Sequence, residues 1–197
     1  GAKVIGASEQ GNSIQGKPVS IFGDKPVYSE EEWALVARGF NEMGRLAREK
    51  DMIFTVHHHM GTGVQTEEEI DRLMELTDPN LVYLLYDTGH LAFSGEDALR
   101  VLRKYAKRVK HVHLKSVRND VVAKAKAGGY SFLDAVRAGA FTVPGDGDFD
   151  FQPVFDILAE NGYEGWVVVE AEQDPAKANP FEYAVMAREY IRRTAGL

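Results

Sequence analysis

The chain repeats one pattern, a short apolar segment followed by a longer amphipathic one. Five apolar segments have the length and the β-branched content of strands, at residues 2–8, 52–59, 81–87, 109–116 and 165–170. The third is almost continuously apolar, which is typical of a strand buried on both faces of a parallel sheet. A helical periodicity follows each segment, so the pattern predicts five βα units and a parallel α/β architecture in one domain, residues 1–197.

Polar residues mark the starts of the predicted helices. Two of them are followed three residues later by a glutamate, the spacing of a capping box. The last is followed by a proline at the first helical position. The predicted caps are Ser29 (with Glu32), Thr66 (with Glu69), Ser94 (with Asp97), Asp150 and Asn179 (with Pro180). The first helix is expected to bury a stripe of Trp33, Val36, Phe40, Met43, Leu46 and Ala47.

Two regions depart from this rhythm. Residues 11–27 form a Gly/Pro/Ser-rich loop that is longer than most connections in compact domains, which favours a functional or partner-covering role. Residues 119–147 contain two short helical pieces, at 121–127 and 131–138, followed by a Pro/Gly-rich turn. We interpret this second region as an excursion above the sheet and expect it to act as a lid.

Polar side chains gather where the predicted strands end. In the fourth segment His111, His113 and Lys115 alternate with apolar residues, so they share one face. The other strand ends supply His57, His58 and His59, then Asp87 with His90, and finally Glu170 with Glu172. Parallel α/β folds gather their ligands at this edge of the sheet. A mixed His/Asp/Glu set without cysteine suits Mn²⁺, Co²⁺ or Zn²⁺.

Each of these residues also has an ordinary structural interpretation. Asp87 could cap a helix or a turn, and Glu170 could pair with an arginine such as Arg188. His111 is better interpreted as a core histidine, because it lies deeper in its strand than His113. Lys115 and Arg118 could be solvated surface residues, and the three consecutive histidines could be a core cluster. The same phase at four consecutive strand ends nevertheless favours a shared site.

Composition narrows the class of protein. The net charge of −7 argues against a nucleic-acid surface, which normally carries a basic stripe. The absence of cysteine excludes disulfides and thiolate metal sites, and it is compatible with the cytoplasm. No signal peptide or membrane-spanning apolar run is present, so no membrane partner is expected. A homo-oligomer is compatible with the sequence, with residues 11–27 as a candidate contact surface.

Six longer motifs resemble one family of sugar-acting enzymes. They are His57-His-His-Met-Gly-Thr62, Tyr86-Asp-Thr-Gly-His-Leu-Ala-Phe93, His111-Val-His-Leu-Lys-Ser-Val-Arg118, Ser131-Phe-Leu-Asp-Ala-Val136, Phe141-Thr-Val-Pro-Gly-Asp-Gly147 and Glu170-Ala-Glu-Gln-Asp-Pro-Ala-Lys177. With the loop at residues 11–16, they resemble the myo-inosose-2 dehydratases of the xylose-isomerase-like TIM-barrel superfamily. The resemblance extends over essentially the whole chain. It implies a (β/α)8 barrel of which this chain supplies about the last five βα units, starting at the fourth strand. Without three preceding units, exposed sheet edges and self-association are expected.

The resemblance also implies a metal-ligand set. The superfamily places one ligand at the end of each of its last four strands, which here match His57, Asp87, His113 and Glu170. The first of these is usually a glutamate, so the fourth ligand stays open between His57, by alignment, His59, by strand parity, and water. Mn²⁺ or Co²⁺ is the expected cofactor.

The implied activity is elimination of water from 2-keto-myo-inositol (inosose) through an enediolate, giving a cyclohexane-1,2-dione in inositol catabolism. His57 or His59 is expected to handle one proton transfer, and His90 or Glu170 the other. His90 matches a substrate-contacting histidine of related epimerases, and Arg118 lies near their substrate-binding arginine. The expected substrate-binding residues are Glu9, Lys115, Arg118 and Glu172.

Three alternatives to the dehydratase stay open. A ketose 3-epimerase would use the same metal and enediolate but return the proton to carbon, although histidine at position 57 departs from the carboxylate pair of epimerases. An apurinic endonuclease of the same superfamily would need more ligands and a basic face. A non-catalytic metal- or polyol-binding module would keep the ligands without turnover.

Overall fold

The protein is built on a five-stranded parallel sheet. The structure, a computed structural model, describes residues 1–23 and 25–196. The sheet has the order β1-β2-β3-β4-β7, and a separate antiparallel pair is formed by β5 and β6. The strands are β1 Val4–Ala7, β2 Ile53–His57, β3 Val82–Asp87, β4 Val109–Leu114, β5 Ser116–Val117, β6 Phe141–Thr142 and β7 Val167–Val169. The predicted parallel α/β architecture is therefore confirmed, because all the neighbouring strands of the main sheet run parallel.

Helices follow the strands in chain order. They are α1 Glu30–Arg48, α2 Glu67–Leu76, α3 Thr88–Ser94, α4 Ala98–Tyr105, α5 Asn119–Ala127, α6 Phe132–Ala138, α7 Gln152–Glu160 and α8 Pro180–Ala195. The capping boxes at Ser29 and Thr66 are both formed, and Asn179 caps α8 as predicted. None of the described helices is long and apolar enough to cross a membrane.

Two of the predicted helix starts are wrong. Ser94 is the last residue of α3, a short helix that begins directly after β3. The next helix, α4, is capped by Asp97, whose carboxylate accepts a hydrogen bond from the Arg100 amide at 2.9 Å. Asp150 lies one residue before the N-cap of α7, although its Oδ1 still accepts from the Gln152 amide at 3.0 Å. Ser94 instead donates its hydroxyl to the His90 carbonyl at 2.6 Å within α3, whereas Asp150 caps a turn, as aspartate does as readily as it caps a helix.

The strand periodicity separates two faces of the sheet. Every second residue of these strands packs under the helices and contributes to the main core, which includes Phe54, Val56, Leu84, Tyr86 and Val112. Burial of this continuous apolar face is the main stabilising contribution expected for the fold. The opposite parity carries the polar residues of the strand ends, so the alternation predicted from the sequence is confirmed.

A second apolar core lies beyond the strand ends. It joins the loop before α1 to the region between β4 and α7, and its buried members are Ile14, Ile21, Met60, Phe93, Val117, Ala125, Phe132, Ala135, Ala140 and Phe141. The Ile14 amide donates to the Gly61 carbonyl at 3.0 Å, and the Ile21 amide donates to the Tyr130 carbonyl at 2.9 Å. The two departures from the βα rhythm thus pack on each other and build a wall beside the strand ends.

The edge strands β1 and β7 have apolar residues at the surface. Ile5 is 38% exposed on one side of the sheet, and Trp166 and Val167 are 73% and 37% exposed on the other. Met43 and Leu46, predicted to lie on the buried stripe of α1, are also largely exposed and line a groove next to β1. Among residues 1–23 and 25–196, neither edge strand has an outer partner in the sheet.

Candidate metal centre

Strand register brings the polar strand ends together. Asp87 of β3 lies directly beside His113 of β4, and His57 of β2 lies beside Leu85, two residues before Asp87. Glu170 follows β7 and continues its pairing, since its amide donates to the Leu114 carbonyl at 3.2 Å. Side chains two residues apart share a face. His57, Asp87, His113 and Glu170 therefore point to one side of the sheet, as the alternation predicted.

Four ligand atoms converge at this point. His57, Asp87, His90 and Glu170 each present one donor atom, and these atoms lie within 4.8 Å of one another. We call these residues the first donor group. His113 adjoins it, because its Nδ1 lies 3.4 Å from Asp87 Oδ2 and 3.2 Å from Glu170 Oε2. The structure therefore brings together all four residues that the sequence proposed as ligands, and adds His90.

The two oxygens of Asp87 have different tasks. Oδ1 accepts hydrogen bonds from the amides of Gly89 and His90, at 2.8 and 2.9 Å, and so caps α3. Oδ2 is buried and accepts no hydrogen bond from the described residues, although the Lys115 ammonium lies 3.6 Å away; His57 Nε2, 3.4 Å from Oδ2, likewise has no hydrogen-bond partner among them. The cap interpretation of Asp87 and its ligand interpretation are therefore compatible, because each uses a different oxygen.

These orphaned atoms test whether a divalent cation fits. Buried polar atoms are normally hydrogen-bonded, and an unpartnered pair that faces a common point requires an explanation such as an unseen ion. Imidazole nitrogens and carboxylate oxygens are donors that Zn²⁺, Mn²⁺ and Co²⁺ accept. Because both the donor chemistry and the orphaned atoms agree, the residues fit a divalent metal.

A second donor group lies beside the first. It consists of His59, His90 and Glu172, whose donor atoms also lie within 4.8 Å of one another. The rings of His59 and His90 are tilted against each other with centroids 3.5 Å apart. Gln15, from the loop before α1, contacts His59 Nδ1 through its Nε2. His90 belongs to both groups and is the point at which they meet.

Lys115 is enclosed between the two groups. Its side chain is completely buried, and its Nζ lies 2.7 Å from Glu170 Oε2, 2.6 Å from Glu172 Oε2 and 3.0 Å from His90 Nε2. The alternative that Lys115 is a solvated surface residue is therefore wrong. The interpretation in which Glu170 pairs with a distant arginine also loses its basis, because Glu170 contacts Lys115 and His113.

Burial and charge set the protonation of these groups. Burial lowers the pKa of His59 to about 3, with a further contribution from the adjacent His57 ring. Burial, followed by the charge of Lys115, holds the pKa of His90 well below its usual value. Burial alone would lower the pKa of His113, but the nearby carboxylates of Asp87 and Glu170 raise that pKa to about 9. The second donor group thus contains two neutral imidazoles near pH 7.

The remaining histidines have supporting positions. His58 lies on the opposite face, where its Nε2 accepts a hydrogen bond from the Asp87 amide at 3.1 Å, and burial lowers its pKa to about 3. It therefore holds the backbone of a proposed ligand. His111 lies one step deeper in β4 with its ring 5.3 Å from that of His113, and it belongs to neither donor group. Its interpretation as a core histidine is wrong, because it is only half-buried and lines a cavity together with His57 and His113.

Aromatic side chains form the wall of the site. Phe132 and Phe141, both buried, contact the ring of His90 at centroid distances of 6.3 and 5.6 Å. Both rings lie in segments that carry the family motifs, but no role for them and no role for Gln15 was predicted from the sequence. The sequence signal for the buried rings was the presence of apolar residues inside Gly/Pro-rich stretches, because a solvent-exposed loop would be mainly polar.

Two of the proposed substrate-binding residues lie outside both donor groups. The guanidinium of Arg118 donates to the carbonyl of Gly139 at 2.7 Å and pairs with Asp146 at 2.5 Å, so it ties together the segment that follows β5. Glu9 accepts from the Gly11 amide at 2.5 Å and from the hydroxyl of Tyr28. The structure therefore places Lys115 and Glu172, but neither Glu9 nor Arg118, among the gathered residues.

A parallel sheet with helices outside it and a His/Asp/Glu cluster at its strand ends is the arrangement of metal-dependent TIM-barrel proteins. Residues 7–194 match the family described as xylose isomerase-like TIM barrel, and the chain belongs to this family. It is also similar to proteins named inosose dehydratase, at 66% identity in Clostridium tetani and 65% in Geobacillus thermodenitrificans. Both matches cover the whole of this chain and 66% of the relative, so the chain spans about two thirds of the length of these proteins.

Solved structures support the same fold. A xylose isomerase-like TIM barrel protein from Mycobacterium smegmatis, in complex with magnesium, has a TM-score of 0.73 at 17% identity, over 99% of this chain and 61% of that one. A protein named IOLI with a bound zinc atom has a TM-score of 0.70 at 16% identity, over 98% and 63%. At these identities the likeness concerns the fold. The fold and the family expected from the sequence motifs are both confirmed.

Proposed function

We propose that the protein is a metal-dependent hydro-lyase that removes water from inosose to give a cyclohexane-1,2-dione. The observation that carries the proposal is the pair of orphaned donor atoms, His57 Nε2 and Asp87 Oδ2, in a chain similar over its full length to inosose dehydratases. Mn²⁺ or Co²⁺ is the proposed ion, held by His57, Asp87, His113 and Glu170. A cytoplasmic location fits a chain without cysteine.

The reaction needs two proton transfers on a chelating ketone. When bound, a divalent cation supplies the Lewis acidity that polarises the ketone and lowers the cost of the negative charge formed at the adjacent carbon. A base must remove the α-proton, and an acid must protonate the β-hydroxyl so that it leaves as water. The chain's own residues are therefore needed for both transfers.

The second donor group supplies the proposed acid and base. His59 is neutral, and its Nε2 points towards Glu172 Oε1 at 4.0 Å instead of contacting Lys115. We assign the α-proton to this nitrogen, which holds the lone pair in the tautomer whose Nδ1–H donates to the Met60 carbonyl, 3.0 Å away. Glu172, whose pKa is raised by burial, is the proposed donor of a proton to the departing hydroxyl, in place of the expected His90 or Glu170, whose pKa values are lowered. His90 accepts from Lys115 and so orients the ammonium, while the aromatic wall excludes water from one side.

Metal binding is tested with two cap aspartates. Asn caps a helix about as well as Asp, so Asp87→Asn should keep the cap of α3 while losing the anionic ligand. We expect its Mn²⁺ affinity to fall by more than the ~10–100-fold that loss of a supporting residue costs. Asp97→Asn, the matched change at the cap of α4, should bind Mn²⁺ like the unaltered protein. Equal titration curves for the two variants would refute Asp87 as a ligand.

Catalysis is tested with two histidines of the same face. His59→Ala should lower kcat for inosose by at least about 10²-fold with Mn²⁺ binding retained, as expected for loss of general acid–base catalysis. His111→Ala, outside both donor groups, should leave kcat within a factor of about two. The assay follows the dione chromophore and the uptake of deuterium at the α-carbon. Deuterium uptake without a dione would indicate the epimerase instead.

A further inference from the structure

The two donor groups offer places for two cations side by side. Each group gathers at least three imidazole or carboxylate donors within 4.8 Å, and His90 is common to both. Two-metal sites hold their ions only about 3.5–4 Å apart, so two donor groups that meet at one residue are close enough in kind to be compared with such a site. The number of ions that the protein holds therefore depends on what else occupies this space.

Lys115 places an ammonium among these donors. An ammonium carries three N–H donors and no acceptor. Three acceptors lie within 3.0 Å of its Nζ, namely Glu170 Oε2, Glu172 Oε2 and His90 Nε2. All three N–H groups are thus matched, and the lone pair of His90 Nε2 is committed to the lysine. That nitrogen cannot coordinate a metal at the same time.

The packing fixes this ammonium in position. The whole residue is buried, and a Cβ on Gly89 would lie only 2.5–2.7 Å from the lysine stem, so Gly89 is the residue that leaves room for it. Thr88 Oγ1 accepts from the Lys115 amide at 2.9 Å and donates to its carbonyl at 2.8 Å. The ring of Phe141 lies 5.2 Å from Nζ on another side. The ammonium therefore has no exposed position to which a small movement would take it.

We propose that Lys115 is a built-in cation that takes the place of a second divalent ion. The protein then holds one metal, ligated by His57, Asp87, Glu170 and the adjacent His113, while His90 serves the ammonium. Removing the ammonium frees His59, His90 and Glu172 and turns the second donor group into a second metal site. This inference rests on the proposed metal centre but is independent of the substrate.

The test is the number of Mn²⁺ ions bound per chain. Lys115→Met removes the charge and keeps a side chain of similar length, and Lys110→Met is the matched change on the same strand outside the site. We expect the unaltered protein and Lys110→Met to bind one Mn²⁺ in calorimetric titration, with the spectrum of an isolated ion in electron paramagnetic resonance. Lys115→Met should bind two, with the altered spectrum of a spin-coupled pair. The double change Lys115→Met with Glu172→Gln should return the count to one.

The outcomes separate the two proposals. Two ions in the unaltered protein, or a single ion in a folded Lys115→Met variant, would overturn the built-in cation and leave the metal centre standing. No Mn²⁺ in the unaltered protein would overturn both. If Lys115→Met is unfolded without metal, Mn²⁺ should restore its circular dichroism as two equivalents bind, and failure to restore it would also refute the proposal.

Discussion

The two sides of the metal centre are held by different means. His57, Asp87 and His113 lie at the ends of adjacent central strands, where backbone register and a helix cap determine their positions. Glu170 and Glu172 follow β7, an edge strand of three residues whose flank is open. On that side the carboxylates are held across the site by Lys115. Three donors are thus positioned by the sheet, and the two carboxylates are positioned by a buried charge.

This difference shows why burial of a charge is worthwhile here. An isolated buried ammonium is expensive, and the cost is offset only when its partners are close and its N–H groups are all matched. Lys115 meets both conditions, and in doing so it ties the carboxylates that follow the edge strand β7 to His90, which follows the central strand β3. If this description is correct, substitutions in the aromatic wall and at Gly89, which packs against the Lys115 stem, should lower the free energy of unfolding much more than similar substitutions at the sheet edges.

The largest expected effect is at the wall. Phe141→Ala removes a completely buried ring from the second core, and such truncations cost about 3–5 kcal/mol of unfolding free energy. Phe181→Ala is the matched change at the β7 side, where the ring is 77% exposed, and it should stay within about 0.5 kcal/mol. Denaturant titration measures both. Equal losses would mean that the wall is not a packed core.

Sequence patterns predicted which strand face carries the site better than they predicted the contacts that its side chains make. The alternation of His111, His113 and Lys115 with apolar residues placed the polar face correctly, because strand geometry allows only two faces. Helix α3 was not predicted, because Thr88 and Gly89 were interpreted as a turn, although the interpretation of Asp87 as a helix cap is confirmed. The burial of Lys115 could not be predicted, since it depends on Gly89 and on two carboxylates some 55 residues later. The local sequence pattern determines the face of the sheet to which a side chain points, whereas tertiary packing determines which charged side chains contact one another.

An intermediate effect is expected under the lysine. Gly89→Ala places a methyl group against the Lys115 stem, and overpacking of this kind costs about 1–3 kcal/mol. Gly39→Ala is the control, because a Cβ there meets nothing within 4 Å and the residue lies inside α1. That change should stabilise the protein by about 0.5–1 kcal/mol through helix propensity. A neutral result at Gly89 would show that the lysine is free to shift, against the fixed position described above.

The smallest expected effect is a difference in amide hydrogen exchange between the edge and the centre of the sheet, which is measured without any substitution. The Leu84 amide donates to the Arg108 carbonyl at 2.8 Å in the buried centre, and the Glu170 amide donates to the Leu114 carbonyl at 3.2 Å beside the open flank. Because edge strands open locally at lower free energy than core strands, Glu170 should exchange its amide hydrogen at least ~10-fold faster, about 1.4 kcal/mol in opening free energy. Hydrogen exchange followed by NMR measures both amides.

Addition of Mn²⁺ sharpens this last comparison. A ligand that binds only the folded edge stabilises it by mass action. Exchange at Glu170 should therefore slow as the metal binds, whereas exchange at Leu84, which already reports on the centre, should change much less. If both amides slowed equally, the metal would be stabilising the whole domain, and the division between a sheet-held side and a charge-held side would have to be abandoned.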